Sequence, residues 1–216
     1  YYLAYGDLPE IISEHVKGRK AIDFGCGTGR STRFLKKIGF NVIGVDIAED
    51  MIKKARELDS EGDYCLIKDG DFSQFKNNAF DLVLSVFTFD NVPTMEKKVR
   101  NFRGLGILLK NEGRLVNLVS SPEIYMYEWA SFSTKDFPEN RQARSGDKVR
   151  IIITAVEDKR PVEDIVWTDQ SYREIFDKTA FDLVKTCKPL GRDDEPHEWI
   201  NETRIAPWVI YVLRKT

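Results

Sequence analysis

The chain has 216 residues, of which 42% are hydrophobic, 12% aromatic and 31% charged, so it can bury the core of a folded domain and is not a disordered chain. Its 33 basic and 35 acidic side chains give a net charge of −2, which disfavours an overall electrostatic grip on a nucleic-acid backbone. The apolar runs, such as residues 151–153, are too short to cross a bilayer.

The first 120 residues alternate apolar runs with segments of helical period. This pattern is typical of βαβ units on a parallel sheet. Apolar residues at helical spacing predict helices over residues 8–16, 34–38, 47–58 and 99–109. Short apolar runs predict strands at residues 21–24, 42–46, 64–67, 80–86 and 114–119.

The pattern changes after Ser120. Residues 121–147 carry several aromatic side chains without a clear period. Two stretches at 149–156 and 162–167 flank a charged, proline-containing turn and predict a β-hairpin. We therefore interpret residues 121–168 as an insertion that covers the carboxyl ends of the strands, where ligands bind in open α/β sheets.

The last part of the chain completes the sheet. A helix is predicted at 172–176, and two closing strands at 181–187 and 209–213. Together with the five strands before Ser120, these predict an α/β fold with a seven-stranded, mostly parallel sheet, helices on both faces and an inserted lid or hairpin after the fifth strand. The whole chain, 1–216, is expected to form one domain.

The turn after the first strand is rich in glycine. Residues 23–29 read DFGCGTG and lie between a predicted strand and a predicted helix. Glycines in this context allow positive φ and let a ligand approach the backbone without meeting a Cβ atom. The dinucleotide fingerprint is G-x-G-x-x-G, whereas Arg30 stands at the place of its third glycine here.

Asp46 stands at the end of the second predicted strand. A carboxylate there can accept both hydroxyls of an adenosine ribose, in charge-assisted bonds worth about 1.5–3 kcal/mol each. Taken singly, Asp46 can equally be a helix N-cap and Asp23 a turn cap, since Asp is favoured at caps. The combination with the glycines favours ligand binding.

Four stretches together resemble the class I S-adenosylmethionine-dependent methyltransferases: residues 21–29 (AIDFGCGTG), 45–46 (VD), 68–70 (KDG) and 80–85 (FDLVLS), in the family's order. The resemblance covers residues 20–120. It implies a Rossmann-like sheet, S-adenosylmethionine as cofactor and transfer of its sulfonium methyl group. One departure is KNEG at 110–113, where the family often has K-P-G-G in a structural turn.

The resemblance implies roles for the glycine-rich turn. Gly25, Cys26, Gly27 and Gly29 would line the methionine and ribose portions of the cofactor, and Asp23 would support the turn. The carboxylate at the end of the second strand would bind the ribose diol.

Further along the chain, the resemblance implies an adenine site. Ile47 and Met51 would sandwich the adenine, although at i and i+4 they also suit an ordinary helix core. Asp69 would accept a hydrogen bond from the adenine amino group, and the Gly70 amide would donate one to the ring. Asp71 is a rival acid, and Asp-Gly is also a common turn signal.

The end of the fourth strand carries the remaining candidates. By resemblance, Ser85 and Val86 would face the methionine moiety, and Tyr5 would close over the cofactor. Asp90 follows the strand where the family often places groups that face the methyl acceptor. It is either a general base or a solvated loop acid, and no other catalytic candidate emerges.

The acceptor is expected to be a small molecule methylated on oxygen or nitrogen. Methyltransferases that modify amino groups of nucleic-acid bases usually carry N-P-P-Y or D-P-P-Y after the fourth strand, whereas residues 85–88 read SVFT here. With the charge balance, this predicts no nucleic-acid partner. The aromatic residues between 125 and 137 either line an acceptor pocket or pack the insertion.

Two other function classes remain open. A nicotinamide-dependent Rossmann oxidoreductase would favour glycine at position 30 and generally no acid at position 23. A non-catalytic protein that binds S-adenosylmethionine would keep the glycine-rich turn but lack an acceptor cavity lined by residues 121–168.

Cysteine and histidine usage narrows the chemistry. Cys26, Cys65 and Cys187 are scattered and form no C-x-x-C pair, which fits a reducing, cytoplasmic compartment. His15 and His197 are the only histidines, so a zinc site or a Ser-His-Asp triad is disfavoured and no metal is expected.

Overall fold

A computed structural model describes residues 2–216. The strands are β1 Lys20–Phe24, β2 Asn41–Asp46, β3 Asp63–Leu66, β4 Phe80–Val86, β5 Leu109–Ser120, β6 Phe132–Ser133, β7 Lys148–Ile153, β8 Val162–Ile165, β9 Phe181–Cys187 and β10 Trp208–Lys215. The α-helices are α1 Tyr2–Gly6, α2 Leu8–His15, α3 Arg30–Lys37, α4 Glu49–Leu58, α5 Met95–Leu108 and α6 Asp169–Asp177.

The main sheet has seven strands in the order β3-β2-β1-β4-β5-β10-β9. Neighbouring strands from β3 to β5 pair in parallel, whereas β10 is antiparallel to both β5 and β9. The strand order reverses between β1 and β4, and ligands bind in such sheets at the crevice outside this switch point. The predicted fold class is confirmed.

The central strands bury side chains on both faces of the sheet, because successive side chains point to opposite faces and helices pack on each face. On β4, Leu82 and Leu84 pack into an apolar cluster with α2 and α3 residues, while Val83 packs into another with α5 and α6 residues. Burying one such aliphatic side chain contributes about 1.5–3 kcal/mol. This packing holds the carboxyl ends of β1, β2 and β4 in fixed positions.

The inserted segment forms a small antiparallel sheet in the order β6-β7-β8. The predicted hairpin is confirmed, with a first strand that ends at Ile153, before the charged turn, and a second strand that begins at Val162, directly after it. Of the aromatic residues whose role was left open, Tyr125, Trp129 and Phe137 are buried packing residues. The ring of Phe132 instead packs edge-on against Trp208 of the main sheet, 5.7 Å between centroids.

No helix within residues 2–216 is both long enough and apolar enough to span a membrane.

Candidate active site

A crevice of about 620 Å³ opens at the carboxyl ends of β1, β2 and β4. Most of the residues predicted to bind a cofactor lie in its wall. The wall includes Tyr5, Gly25, Cys26, Gly27, Asp46, Ile47, Met51, Asp69, Gly70 and Val86.

Two glycines of the turn serve different purposes. A Cβ atom on Gly25, at φ 71°, would lie 2.1 Å from the Thr88 side chain, so this position requires glycine for packing. Thr88 in turn donates a hydrogen bond to the Phe24 carbonyl at 2.7 Å. A Cβ atom on Gly27, at φ 53°, would meet no atom within 4 Å. The open space at Gly27 belongs to the crevice, so a ligand can approach the backbone there.

The Asp46 carboxylate fixes the turn. Its Oδ2 accepts a hydrogen bond from the Gly27 amide at 2.8 Å, and its Oδ1 accepts one from the Ala48 amide at 2.9 Å. The N-cap of α4 is Ala48, so the interpretation of Asp46 as that helix's N-cap is wrong. An ionised carboxylate offers about four lone-pair sites, which leaves capacity for two further donors.

Asp23 lies beneath the turn rather than in the crevice wall, and it is fully buried. Its Oδ2 accepts hydrogen bonds from the hydroxyls of Ser31 at 2.7 Å and Thr32 at 2.6 Å, both in the first turn of α3. Burial raises the pKa of Asp23 to about 6, against the lowering effect of these two hydroxyls. The side chain therefore ties the end of β1 to α3.

The far end of the crevice is apolar on one side and acidic on the other. Ile47 and Met51 are 61% and 44% exposed, so the alternative that they form ordinary helix core is wrong. Asp69 lines the crevice and makes ion pairs with Arg100 at 2.8 Å and Lys97 at 3.4 Å.

The rival acid faces elsewhere. Asp71 accepts a hydrogen bond from the Ser73 amide at 3.0 Å and does not line the crevice. The side chain of Asp69, and not that of Asp71, can therefore contact a ligand in the crevice.

Ser85 and Gly29 are corrections to the predicted site. Ser85 is fully buried and absent from the crevice wall, because it points to the sheet face opposite to that of its neighbour Val86. Gly29 begins α3 and faces β3, where a Cβ atom would lie 2.5 Å from the Tyr64 hydroxyl oxygen. These two residues do not line the crevice.

Asn101 on α5 is a crevice residue that sequence reasoning missed. It is only 2% exposed, it lines the crevice, and its Oδ1 has no hydrogen-bond partner. A signal was present, because Lys98 and Asn101 occupy positions i and i+3 on the helix face that also carries Phe102 and Leu105. Polar residues at core positions of a helix indicate a specific role.

A second cavity of about 200 Å³ adjoins the crevice, and Phe87 and Asn91 line both. We call it the side cavity; its other lining residues are Asp90, Ser120, Ile124, Phe132, Ile151, Ile153, Val162, Asp164 and Trp208. Phe87 adopts a left-handed backbone with φ 59°, and its ring lies 4.7 Å from that of Trp208. Non-glycine residues held in this region cluster at functional sites.

Asp90 lies in a 3₁₀ turn over Thr88–Asn91 and is only 4% exposed, so its interpretation as a solvated loop acid is wrong. Both carboxylate oxygens accept from the Ser120 amide, at 3.1 and 3.3 Å. Burial, and then the nearby charge of Asp164, raise the pKa of Asp90 to about 7.

Within residues 2–216, no group of three or more His, Cys, Asp or Glu side chains is placed to hold a metal ion.

Comparison with known proteins bears on this geometry. Residues 22–117, which contain β1, β2, β4 and the glycine-rich turn, match the family model described as "Methyltransferase domain". This stretch of the chain is therefore similar to methyltransferase domains. An uncharacterised methyltransferase of Geobacillus sp. is 38% identical over 114 residues, 52% of each protein, so the chain spans about half the length of that relative.

Other relatives and solved structures match different shares of this chain. The 18S rRNA (guanine-N(7))-methyltransferase bud23 of Schizosaccharomyces pombe is 34% identical over 105 residues, 44% of this chain and 39% of that protein. A SAM-dependent methyltransferase structure from Methanosarcina mazei superposes with a TM-score of 0.69 at 14% identity, over 95% of this chain and 96% of that one. At that identity the likeness concerns the fold alone.

Proposed function

We propose that this chain is an S-adenosylmethionine-dependent methyltransferase that transfers a methyl group to an oxygen or nitrogen atom of a small molecule. The observation that carries the proposal is the pairing of open space at Gly27 with the Asp46 carboxylate, which retains free lone pairs at the crevice. The methyltransferase-domain match over residues 22–117 supports it.

The residues of the crevice fit this cofactor. The glycine-rich turn offers backbone that no side chain covers at Gly27, which suits the amino-acid tail. Asp46 has acceptor capacity for both ribose hydroxyls. Ile47 and Met51 present exposed apolar surface to an adenine ring, and Asp69 offers an acceptor for its amino group.

Asn101 adds an acceptor that the resemblance did not include. Its buried Oδ1 has no partner within the chain, and a buried polar atom without a hydrogen bond costs about 1–3 kcal/mol. We propose that this atom accepts a hydrogen bond from the bound cofactor.

S-adenosylmethionine supplies a methyl group that its positively charged sulfur already activates. The protein's task is then to align the acceptor and to exclude water, and good alignment can supply roughly 7–11 kcal/mol of the barrier. We propose that Phe87, which lines both the crevice and the side cavity, holds the acceptor in line with the methyl group.

We also propose that the whole chain acts as one domain, in which the insertion at 121–168 encloses the acceptor. Ile124, Ile151, Ile153, Val162 and Asp164 of this insertion line the side cavity. A cavity at this place argues against a non-catalytic binding protein. Arg30 at the third fingerprint position argues against a nicotinamide oxidoreductase.

RNA is the alternative acceptor, because two relatives are named as an rRNA methyltransferase and a putative rRNA methyltransferase. The net charge of −2 and the sequence SVFT at 85–88 favour a small molecule.

Two measurements test the proposal. Calorimetric titration with S-adenosylhomocysteine and, separately, with NAD should give binding of the first alone. Incubation with radiolabelled S-adenosylmethionine should then label compounds in a small-metabolite extract and leave total RNA unlabelled. Binding of NAD in place of S-adenosylhomocysteine would contradict the cofactor, and labelling of RNA alone would contradict the acceptor.

A further inference from the structure

The side cavity combines apolar walls with two carboxylates from distant parts of the chain. Asp90 comes from the turn after β4, and Asp164 comes from β8 of the insertion. The remaining lining residues are uncharged, so among the described residues no cationic side chain lines this cavity. Its position beside the crevice, with Phe87 and Asn91 shared, makes it the space next to a bound methyl donor.

The polar contacts of the two carboxylates leave acceptor capacity on both. Among residues 2–216, Asp90 accepts from the Ser120 amide, and Asp164 accepts from the Tyr125 hydroxyl at Oδ2, at 3.1 Å. Burial raises the pKa of each, and the charge of Asp164 raises that of Asp90 further. Two like charges in one poorly solvated space are costly unless a cation joins them.

One buried lysine, Lys98, carries a charge that acts on Asp90, but its contacts lie outside the side cavity. Lys98 is fully buried on α5, and its Nζ donates to the Phe89 carbonyl and lies 4.7 Å from the Trp167 ring centroid. It does not line the side cavity. Its charge lowers the pKa of Asp90, but burial and the charge of Asp164 outweigh this effect, so the pKa of Asp90 stays raised.

We propose that the side cavity binds the nitrogen of a small primary or secondary amine with an apolar body, and that this amine is the methyl acceptor. The inference rests on the proposed function for its methyl donor. An ammonium group offsets the two carboxylates, and the isoleucine, phenylalanine and tryptophan walls suit the apolar remainder. A neutral alcohol brings no compensating charge, and an anionic acceptor is repelled.

The chemistry balances without a further reactant. The bound ammonium gives one proton to the Asp90 carboxylate, which frees the nitrogen lone pair. That lone pair forms the new N–C bond while the C–S bond breaks and leaves its electron pair on sulfur. The methylated amine carries the positive charge that the sulfonium loses; Asp90 keeps the transferred proton as a neutral carboxylic acid, and the Asp164 carboxylate offsets the charge of the product.

The proposal implies a pH dependence of amine binding. The titratable side chains that face Asp90 come from several elements: Lys98 on α5, Tyr125, Asp164 on β8 and Tyr172 on α6. Because burial raises the pKa of Asp90, a larger share of this carboxyl is ionised at pH 8 than at pH 6. An alkylamine stays protonated up to about pH 9, as a lysine side chain does. Amine affinity is therefore expected to be higher at pH 8 than at pH 6.

Matched probes test the charge preference. We would titrate benzylamine, phenethylamine and cyclohexylamine against the corresponding alcohols by calorimetry, with S-adenosylhomocysteine present at saturation. At least one amine is expected to bind tenfold or more tightly than its alcohol. The inference is overturned if no amine in the set binds more tightly than its alcohol.

Substitutions then assign the preference to the cavity. Asp164→Asn is the principal variant, because this residue is only half-buried, and Asp182→Asn on β9 is the control at an exposed acid outside the cavity. Asp164→Asn should reduce amine affinity at least tenfold and leave alcohol affinity unchanged, while Asp182→Asn changes neither. An unchanged amine preference in Asp164→Asn would refute the assignment.

The two proposals fail in distinguishable ways. If S-adenosylhomocysteine binds but the amines show no preference, the amine inference falls and the proposed function stands. If S-adenosylhomocysteine does not bind, the proposed function falls. The same amine titrations without it then still decide whether the cavity prefers a cation.

Discussion

The crevice and the side cavity differ in how the sequence encodes them. The crevice is built from short stretches in which chain neighbours act together, such as residues 23–29, 45–48 and 69–70. The side cavity joins Asp90 to Asp164, which lie far apart in the chain and meet only when the insertion packs on the turn after β4. Local backbone motifs can be read from a sequence, whereas tertiary juxtapositions of single side chains cannot.

The two regions also treat carboxylates differently. Asp46 in the crevice is held by two backbone amides, Gly27 and Ala48, which position it for neutral hydroxyl donors. Asp90 and Asp164 face an apolar space that favours a cation. The crevice is therefore expected to respond to changes in shape, and the side cavity to changes in charge.

The largest expected effect is at the turn. Gly27→Val places a branched side chain in open crevice space, so we expect binding of S-adenosylhomocysteine to fall more than a hundredfold. The matched control is Gly39→Val, since Gly39 also has positive φ and open surroundings but lies between α3 and β2. Both substitutions should cost about 1–2 kcal/mol of stability through backbone strain.

For these two variants, calorimetry measures ligand binding and thermal denaturation measures stability, so a loss of binding can be separated from a loss of stability. Equal stability with loss of binding in Gly27→Val alone supports the comparison. Wild-type affinity in Gly27→Val would show that the ligand does not approach the turn.

A smaller effect is expected at the ribose. Asp46→Ala removes the acceptor for two hydroxyls and the brace of the Gly27 amide, so cofactor affinity should fall at least tenfold in calorimetry. Asp50→Ala, an exposed acid on the first turn of α4, serves as the control and should bind as the wild type does. Equal affinity of the two variants would remove the ribose assignment.

A pH effect is expected beneath the turn. The pKa of Asp23 is about 6 in the folded chain, against an ordinary value of 3.8, so the unfolded chain binds fewer protons between about pH 4 and 6. This carboxyl therefore lowers stability as the pH rises through that window and has a constant effect above it. Asp23→Asn removes the contribution.

Urea denaturation measures this difference. The free energy of unfolding of Asp23→Asn minus that of the wild type should be larger at pH 7 than at pH 4.5, because the variant is relatively more stable at the higher pH. The same relative stability at both pH values would contradict the raised pKa.

The smallest effect is expected at α5. Asn101→Ala removes one neutral acceptor worth about 0.5–1.5 kcal/mol, so cofactor affinity should fall by about two- to twelvefold. Asn41→Ala, at the exposed start of β2, is the control and should leave affinity unchanged. If Asn101→Ala binds as tightly as the control, the Asn101 oxygen has no role in the crevice.

The sequence predicted the central strands and the turn after the first strand, because apolar runs and clustered glycines leave local patterns. Boundaries were less accurate: α5 begins at Met95, earlier than the predicted 99, because Thr94 caps it by accepting from the Lys97 amide at 3.2 Å. β5 begins at Leu109, well before the predicted 114. These ends depend on single hydrogen bonds and on neighbouring strands.

The prediction of the site was also correct for some residues and wrong for others. Ser85 was assigned to the crevice because the family motif ends there, but strand alternation turns it away. Nothing local in the sequence indicates the insertion that buries Asp90, so the sequence leaves open a solvated loop acid at this position. Asp164 was missed for the same reason, since its partner lies on another element.

The most direct test of the account is a crystal structure with S-adenosylhomocysteine bound. We expect both ribose hydroxyls to lie within hydrogen-bonding distance of the Asp46 carboxylate and the amino-acid tail to lie against the Gly27 backbone. A ligand bound elsewhere, or a ribose without contact to Asp46, would contradict it.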